Sequence, residues 1–167
     1  VHDSLLGQPS RIVVVEADSF RTKLAKEARD RAIGEGKHPM LEHKLVAYDI
    51  KIAKIRAQLE AQGISLQGGF SELSMFFEQD GVQCRSRPDH VASGSALITE
   101  LKTCQSAHPK AIRAHVEQYG YDIQRHCQIR AVAANRPELE GRVDHRWVFL
   151  EMRAPYLVQV VHAGGSM

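Results

Sequence analysis

From Phe70 to Thr103 the sequence leaves helical spacing and runs as short apolar segments punctuated by turn signals, and this stretch constrains the fold most. Ser71 to Phe77 reads as a strand, Gln79-Asp80-Gly81 as a hairpin turn with the Asp-Gly pair, and Val82 to Val91 as the antiparallel return. Ala92-Ser93-Gly94-Ser95 then turns the chain into a strand from Ala96 to Thr103. The expected product is a three-stranded meander carrying Glu72, Asp89 and Glu100. Side chains two apart on a strand share a face, so Glu100 and Lys102 point together while Leu101 faces the core. With Asp89, this brings two carboxylates and an ammonium toward one spot. Such an oxygen set suits a hard cation such as Mg²⁺, which takes one or two protein carboxylates and keeps several waters. Lys102 is then placed to hold or help deprotonate an attacking water.

Each of these residues also has a plainer reading. Pro-Asp pairs are common at turns, and Glu-x-Lys on a strand is commonly a solvated, salt-bridged face. Glu72, a lone acid at the start of an apolar strand, either faces water or joins the site. Arg85 and Arg87 share the face of Asp89 by strand alternation, and either pair with the acids or bind phosphates.

The flanks read as helices and strands of a mixed α/β sheet. Val1 to Pro9 shows no periodicity and reads as a lead-in, extended from Arg11 to Val15. Asp18-Ser19 is the expected N-cap of a helix through Phe20, Leu24, Ala28 and Ile33, which Gly34 stops. Pro39 suits the first turn of the strongest helix, in which Leu41, Leu45, Tyr48, Ile52, Ile55 and Leu59 form one apolar stripe ending before Gly63. That stripe marks a core-facing support helix, and its spacing also permits a subunit contact.

Beyond the meander, Pro109 opens a helix carrying Lys110, Arg113 and His115, and Gly120 interrupts it. A second helix runs from Asp122 to Ala134 with Gln124 in its first turn and Arg125 beside it. Gln124 is either a solvated residue or an amide aimed at the site. Strands from His145 to Met152 and Tyr156 to His162 close the order.

The 167 residues suit one domain with a real core. Apolar runs are only strand-sized, so no membrane span is expected, and no basic-then-apolar leader precedes the first element. Three scattered cysteines, Cys84, Cys104 and Cys127, argue against a disulfide framework or structural zinc site and suit a reducing cytoplasm. A net charge of +2 does not by itself announce a nucleic-acid binder, so any DNA footprint must be local. The chain starts at Val1 and ends in Gly164-Gly165-Ser166-Met167 soon after a strand, which reads either as a fragment, truncated at the C-terminus, or as a trimmed chain.

Pro88-Asp89, ten residues, then Glu100-Leu101-Lys102 resembles the PD-(D/E)xK nuclease superfamily. The wider sequence looks like its phage-type exonucleases similar to RecE, relatives of lambda exonuclease. That resemblance rests on Ser19-Phe20-Arg21-Thr22-Lys23, Gly36-Lys37-His38-Pro39, Cys84-Arg85-Ser86-Arg87-Pro88-Asp89, Glu100-Leu101-Lys102-Thr103 with Ser106-Ala107 and Pro109, and Tyr119-Gly120-Tyr121-Asp122-Ile123-Gln124. Phe149-Leu150-Glu151 and Pro155-Tyr156 match the closing strands.

The resemblance implies a restriction-endonuclease-like α/β core, a mixed central sheet flanked by helices, forming a single nuclease domain over 1–167 with 1–17 as lead-in. It implies 5′-to-3′ degradation of double-stranded DNA from free ends, releasing 5′ mononucleotides and leaving a 3′ single strand for an annealing protein in recombination. Asp89, Glu100 and the Leu101 backbone carbonyl would hold Mg²⁺, with Mn²⁺ as substitute. Lys102 would act on water, Glu72 resembles the upstream acid, and Gln124 resembles the glutamine of a Gln-x-x-x-Tyr motif. Arg85, Arg87, Lys110, Arg113 and Arg125 are the candidate DNA contacts. A homo-oligomeric ring, no membrane, and the cytoplasm of a bacterial or phage-infected cell complete the picture. The chain departs from the family in having Gln128 at the motif's tyrosine position and in being short.

Three other readings compete. An endonuclease or a RecB-like single-strand nuclease keeps the fold, although the iron–sulfur members of that group use four cysteines. A non-catalytic DNA-binding module would have lost an acid or the lysine, and a structural protein would leave Asp89, Glu100 and Lys102 apart.

Overall fold

The computed structural model describes residues 1–162. The Gly164-Gly165-Ser166-Met167 end lies outside the described residues. The chain divides into two compact units, Val1–Ala57 and the residues from Gln58 on.

In the first unit, the segment read as a lead-in holds a short helix α1 (His2–Leu5) and strand β1 (Ile12–Val15). Asp3 and Arg11 pair at 2.7 Å, and the Ser4 hydroxyl lies 2.7 Å from that of Tyr48. Helix α2 (Lys23–Gly34) is capped by Thr22, whose hydroxyl accepts from the Ala25 amide, and not by Asp18-Ser19. Its length still ends at Gly34. Val15, Ala25 and Leu41 form a small core with Phe20 and Ala28.

Pro39 lies in a strand, β2 (His38–Leu41), parallel to β1, and not in a first helical turn. The His38 amide donates to Arg11, so the next nitrogen, which has no hydrogen to donate, faces away from β1 on the open edge of a two-stranded pair. Helix α3 then runs Glu42–Ala61, and Ile52, Ile55 and Leu59 of the expected stripe are buried. Among the described residues no helix is long and apolar enough to cross a membrane.

The second unit is built on a five-stranded mixed sheet in the order β3-β6-β7-β8-β9. Its strands are β3 (Gly69–Ser71), β6 (His90–Ala92), β7 (Leu97–Cys104), β8 (Asp144–Glu151) and β9 (Val158–His162). Within this sheet only β7 and β8, among the described residues, are a parallel pair, and the helices α4 (Pro109–Tyr119) and α5 (Tyr121–Asn135) make the crossover between them. Gly120, at φ 60°, ends one helix and starts the other.

The expected three-stranded meander is absent in that form, because both long strands break. Ser71–Phe77 divides into β3 and β4 (Met75–Gln79) at Glu72, which has φ 52°, and Val82–Val91 divides into β5 (Val82–Ser86) and β6 across Arg87-Pro88-Asp89. Pro88 cannot donate to a ladder, and the chain leaves the sheet there. Strands β4 and β5 pair only with each other, as a ribbon turned at Asp80-Gly81, where both residues have positive φ. At the base of the ribbon the Glu72 amide donates to the Asp89 carbonyl at 3.0 Å. Nearby, Gly69 could not be any other residue: a Cβ there would lie 2.3 Å from the Val91 carbonyl oxygen.

Strand β7 is the backbone of the core. Ile98 packs with Ala131 and Val132 of α5, and Cys104 with Ile112 of α4 and with Trp147 and Phe149 of β8. The same face between them carries Glu100 and Lys102.

Candidate active site

Pairing of β6 with β7 ends at His90 and Thr99, so the next β7 amide on that side, Leu101, has no ladder partner. Asp89 fills the gap: its Oδ2 accepts from the Leu101 amide at 2.7 Å. The N–H and C=O of a strand residue project to the same side, so the Leu101 carbonyl also points toward Asp89.

On the sheet face, side chains two apart on β7 are spaced about 6.6 Å, and side chains four apart on α5 rise about 6 Å. The two elements therefore stay matched over three successive levels. Ala131 and Val132 meet Ile98, Gln128 meets Glu100, and Gln124 meets Glu100 and Lys102. The parallel neighbour β8 adds His145 opposite Ile98 on the same face.

Glu100, only 4% exposed, has every acceptor position filled. Its Oε1 accepts from Lys102 Nζ at 3.0 Å and Gln124 Nε2 at 2.8 Å. Its Oε2 accepts from Gln128 Nε2 at 2.7 Å and from the Asp89 amide at 3.2 Å. Lys102 Nζ also donates to Gln124 Oε1 at 2.7 Å and sits 4.4 Å above the ring of Tyr121. Asp89, Glu100, Lys102 and Gln124 are thus brought together within one hydrogen-bonded group; strand spacing anticipates this for Asp89, Glu100 and Lys102, and only the resemblance pointed to Gln124.

Burial, and after it the Glu100 charge, push the Asp89 carboxyl up to about 7, against the opposing pull of the Leu101 amide and Lys102. Glu72 adds a smaller push from the base of the ribbon. Its charge is thus close enough to act on the pair, and no preformed group of three or more His, Cys, Asp or Glu able to hold a metal occurs among the described residues.

A divalent cation fits this donor set. Mg²⁺ needs only one or two protein carboxylates, and positive charge between Asp89 and Glu100 would relieve the repulsion that raises Asp89. Asp89, through the oxygen not engaged by Leu101, and the Leu101 carbonyl would be the ready ligands. Glu100 would join them on giving up one of its four donors.

The other candidates lie elsewhere. Arg85, on β5 opposite Phe76, and Arg87, in the strand break, are exposed and make no ion pair among the described residues. Arg113 pairs with Glu117 along α4, and Lys110 sits exposed at the start of that helix. Arg125 is half-buried on α5, with its Nε enclosed and without a hydrogen-bond partner among the described residues.

Two polar residues of this site, Gln128 and His145, carry no sequence signal of burial, yet both are almost wholly enclosed. Gln128 Oε1 lies 2.7 Å from His145 Nε2. The one hint available is the four-residue step from Gln124 to Gln128, which places both amides on one helical face.

A solved structure from Eubacterium rectale, described as that of a candidate exonuclease, shares the fold with a TM-score of 0.54 and 16% identity. The similarity covers 85% of this chain and 53% of the other, so the chain spans about half the length of that protein. No curated protein sequence matches significantly. Residues 15–137 match the family model described as a PDDEXK-like domain of unknown function (DUF3799). That span contains the whole break between β5 and β6, β7 and both crossover helices, and on it the chain belongs to the family of PDDEXK-like domains.

Proposed function

We propose that the chain is a metal-dependent deoxyribonuclease domain acting on double-stranded DNA ends in the 5′-to-3′ direction, releasing 5′ mononucleotides and leaving a 3′ single strand. The observation that carries a nuclease reading is the junction of Asp89, Glu100, Lys102 and Gln124 in one buried hydrogen-bonded group at the edge of the ribbon. A surface salt-bridge face would be solvated, and here the Lys102–Glu100 side chains are 13% and 5% exposed.

PD-(D/E)xK nucleases generally use divalent metals, and Asp89, Glu100 and the Leu101 carbonyl would hold Mg²⁺, with Mn²⁺ as substitute. Such a cation supplies polarisation of the scissile phosphate and a more acidic water. Lys102 donates from Nζ to the attacking water and steadies the negative charge that develops on it. Gln124 fixes Lys102 through its carbonyl and Glu100 through its amide, so the ammonium is held in one orientation. Arg85 and Arg87, exposed on and beside the ribbon, suit backbone phosphates, with Lys110, Arg113 and Arg125 as further candidates.

The end-directed substrate, the 5′ polarity, a ring of identical subunits and a single-strand annealing partner rest on the resemblance to RecE-like phage exonucleases. The naming of the Eubacterium rectale neighbour favours an exonuclease over an endonuclease. Incubation of a linear duplex beside the same DNA as a closed circle, with Mg²⁺, separates the two. The expected result is shortening of the linear form alone; cutting of the circle would assign an endonuclease.

A further inference from the structure

The four donors on Glu100 come from different sources, and one of them is itself held from behind. Lys102 and Gln124 reach Oε1 from the open side of the site, and the Asp89 amide reaches Oε2 from the strand break. Gln128 reaches Oε2 from the closed side, where the residue is 1% exposed. A carboxylate only accepts, so the nitrogen of the Gln128 amide must face Glu100 and its oxygen must face His145. That oxygen also only accepts, so His145 donates from Nε2 across the 2.7 Å gap. His145 is 2% exposed, its ring lies edge-on to Trp147 at 5.2 Å, and its Nδ1 has no partner among the described residues. Among the described residues the Gln128 contact is thus the one hydrogen bond of a buried imidazole.

We infer that Gln128 and His145 form a positioning relay that fixes the Glu100 carboxylate from behind, His145 locking the Gln128 amide so that its N–H group holds Oε2 while Oε1 faces the open side. The relay rests on the nuclease reading above and goes beyond it, because both residues lie enclosed behind Glu100, 1% and 2% exposed. When Glu100 gives up Lys102 or Gln124 to take a cation, the buried Gln128 bond keeps the carboxylate from swinging. Outer hydrogen bonds of this kind generally change metal affinity 10- to 100-fold when lost.

The test uses the full chain and Mn²⁺ alone. Titration calorimetry on wild type, His145→Phe, His145→Gln, Gln128→Leu and the Gln128→Leu/His145→Phe double variant should show about tenfold weaker binding for His145→Phe and Gln128→Leu. His145→Gln, which keeps an N–H near the Nε2 position, should recover most of that loss. The double variant should bind no more weakly than Gln128→Leu, since the imidazole acts only through the amide. Nitrogen NMR of the His145 ring gives a readout independent of metal: the proton belongs on Nε2. Should Gln128→Leu fail to fold, the two His145 variants and the ring tautomer decide alone. Wild-type Mn²⁺ binding that persists unchanged in His145→Phe, losses that multiply in the double variant, or a proton on Nδ1 would overturn the relay and leave the nuclease reading standing. A wild type that binds no Mn²⁺ overturns both.

Discussion

The Asp89 carboxylate accepts from the Leu101 amide at 2.7 Å, at the level where pairing of β6 with β7 stops. The acid therefore takes the place of the next ladder carbonyl, and its position is set by the backbone of the strand that carries Glu100 and Lys102. This explains how an aspartate in a strand break is tied to the strand beside it.

A consequence for pH follows from the rise of Asp89 to about 7. A carboxyl raised on folding is more easily protonated in the native state, so its contribution to stability is complete below the ordinary carboxylate range. It is lost as pH rises through about 7. Melting temperature in chelator should fall by a few degrees between pH 5 and pH 8, and the fall should flatten in Asp89→Asn. Mg²⁺ at pH 8 should restore the wild type and leave Asp89→Asn unmoved. A metal-free melting temperature that climbs over this range would contradict the assignment.

Lys102→Met separates binding from chemistry. The ammonium neighbours the ligands without joining them, so Mn²⁺ affinity by calorimetry should hold or tighten once a positive charge is removed. Cleavage at saturating Mg²⁺ should drop on the order of 10²- to 10³-fold, the usual cost of deleting a positioned charge donor. Weakened metal binding with intact turnover would assign Lys102 to the fold alone.

The residues that mattered most were unequally legible in the sequence. The helices α3 and α5 and the strands β7 to β9 follow from periodicity, and the two-residue step in Glu100-Leu101-Lys102 correctly puts both charges on one face. The break at Glu72 was hidden because Leu73, Met75 and Phe77 keep a strand alternation running on from it, whereas the polar run Arg85-Ser86-Arg87 followed by Pro88 does mark the other. Pro39 misled for the opposite reason. Its fixed φ suits a first helical turn and an edge strand alike, and the open edge of β1–β2 decided between them. The Gln128–His145 pair was out of reach, since a buried amide and imidazole satisfy each other only after α5 is laid on the sheet.

Arg85→Ala and Arg87→Ala address the DNA footprint. Each lost phosphate contact should weaken duplex binding uniformly across sequences and lower the slope of log affinity against log salt by about 1. Fluorescence anisotropy at several salt concentrations, with inert Ca²⁺ replacing Mg²⁺, measures both quantities. Unchanged slopes would remove the ribbon from the DNA path.

The most direct measurement is a time course on a linear duplex labelled at one 5′ end, run with wild type and Glu100→Ala, in Mg²⁺ and in chelator. The expected result is early release of label as a mononucleotide by wild type in Mg²⁺ alone, with Glu100→Ala folded and inactive. Near-normal release by Glu100→Ala, or release in chelator, would contradict the assignment of Asp89, Glu100 and Lys102 as the site of cleavage.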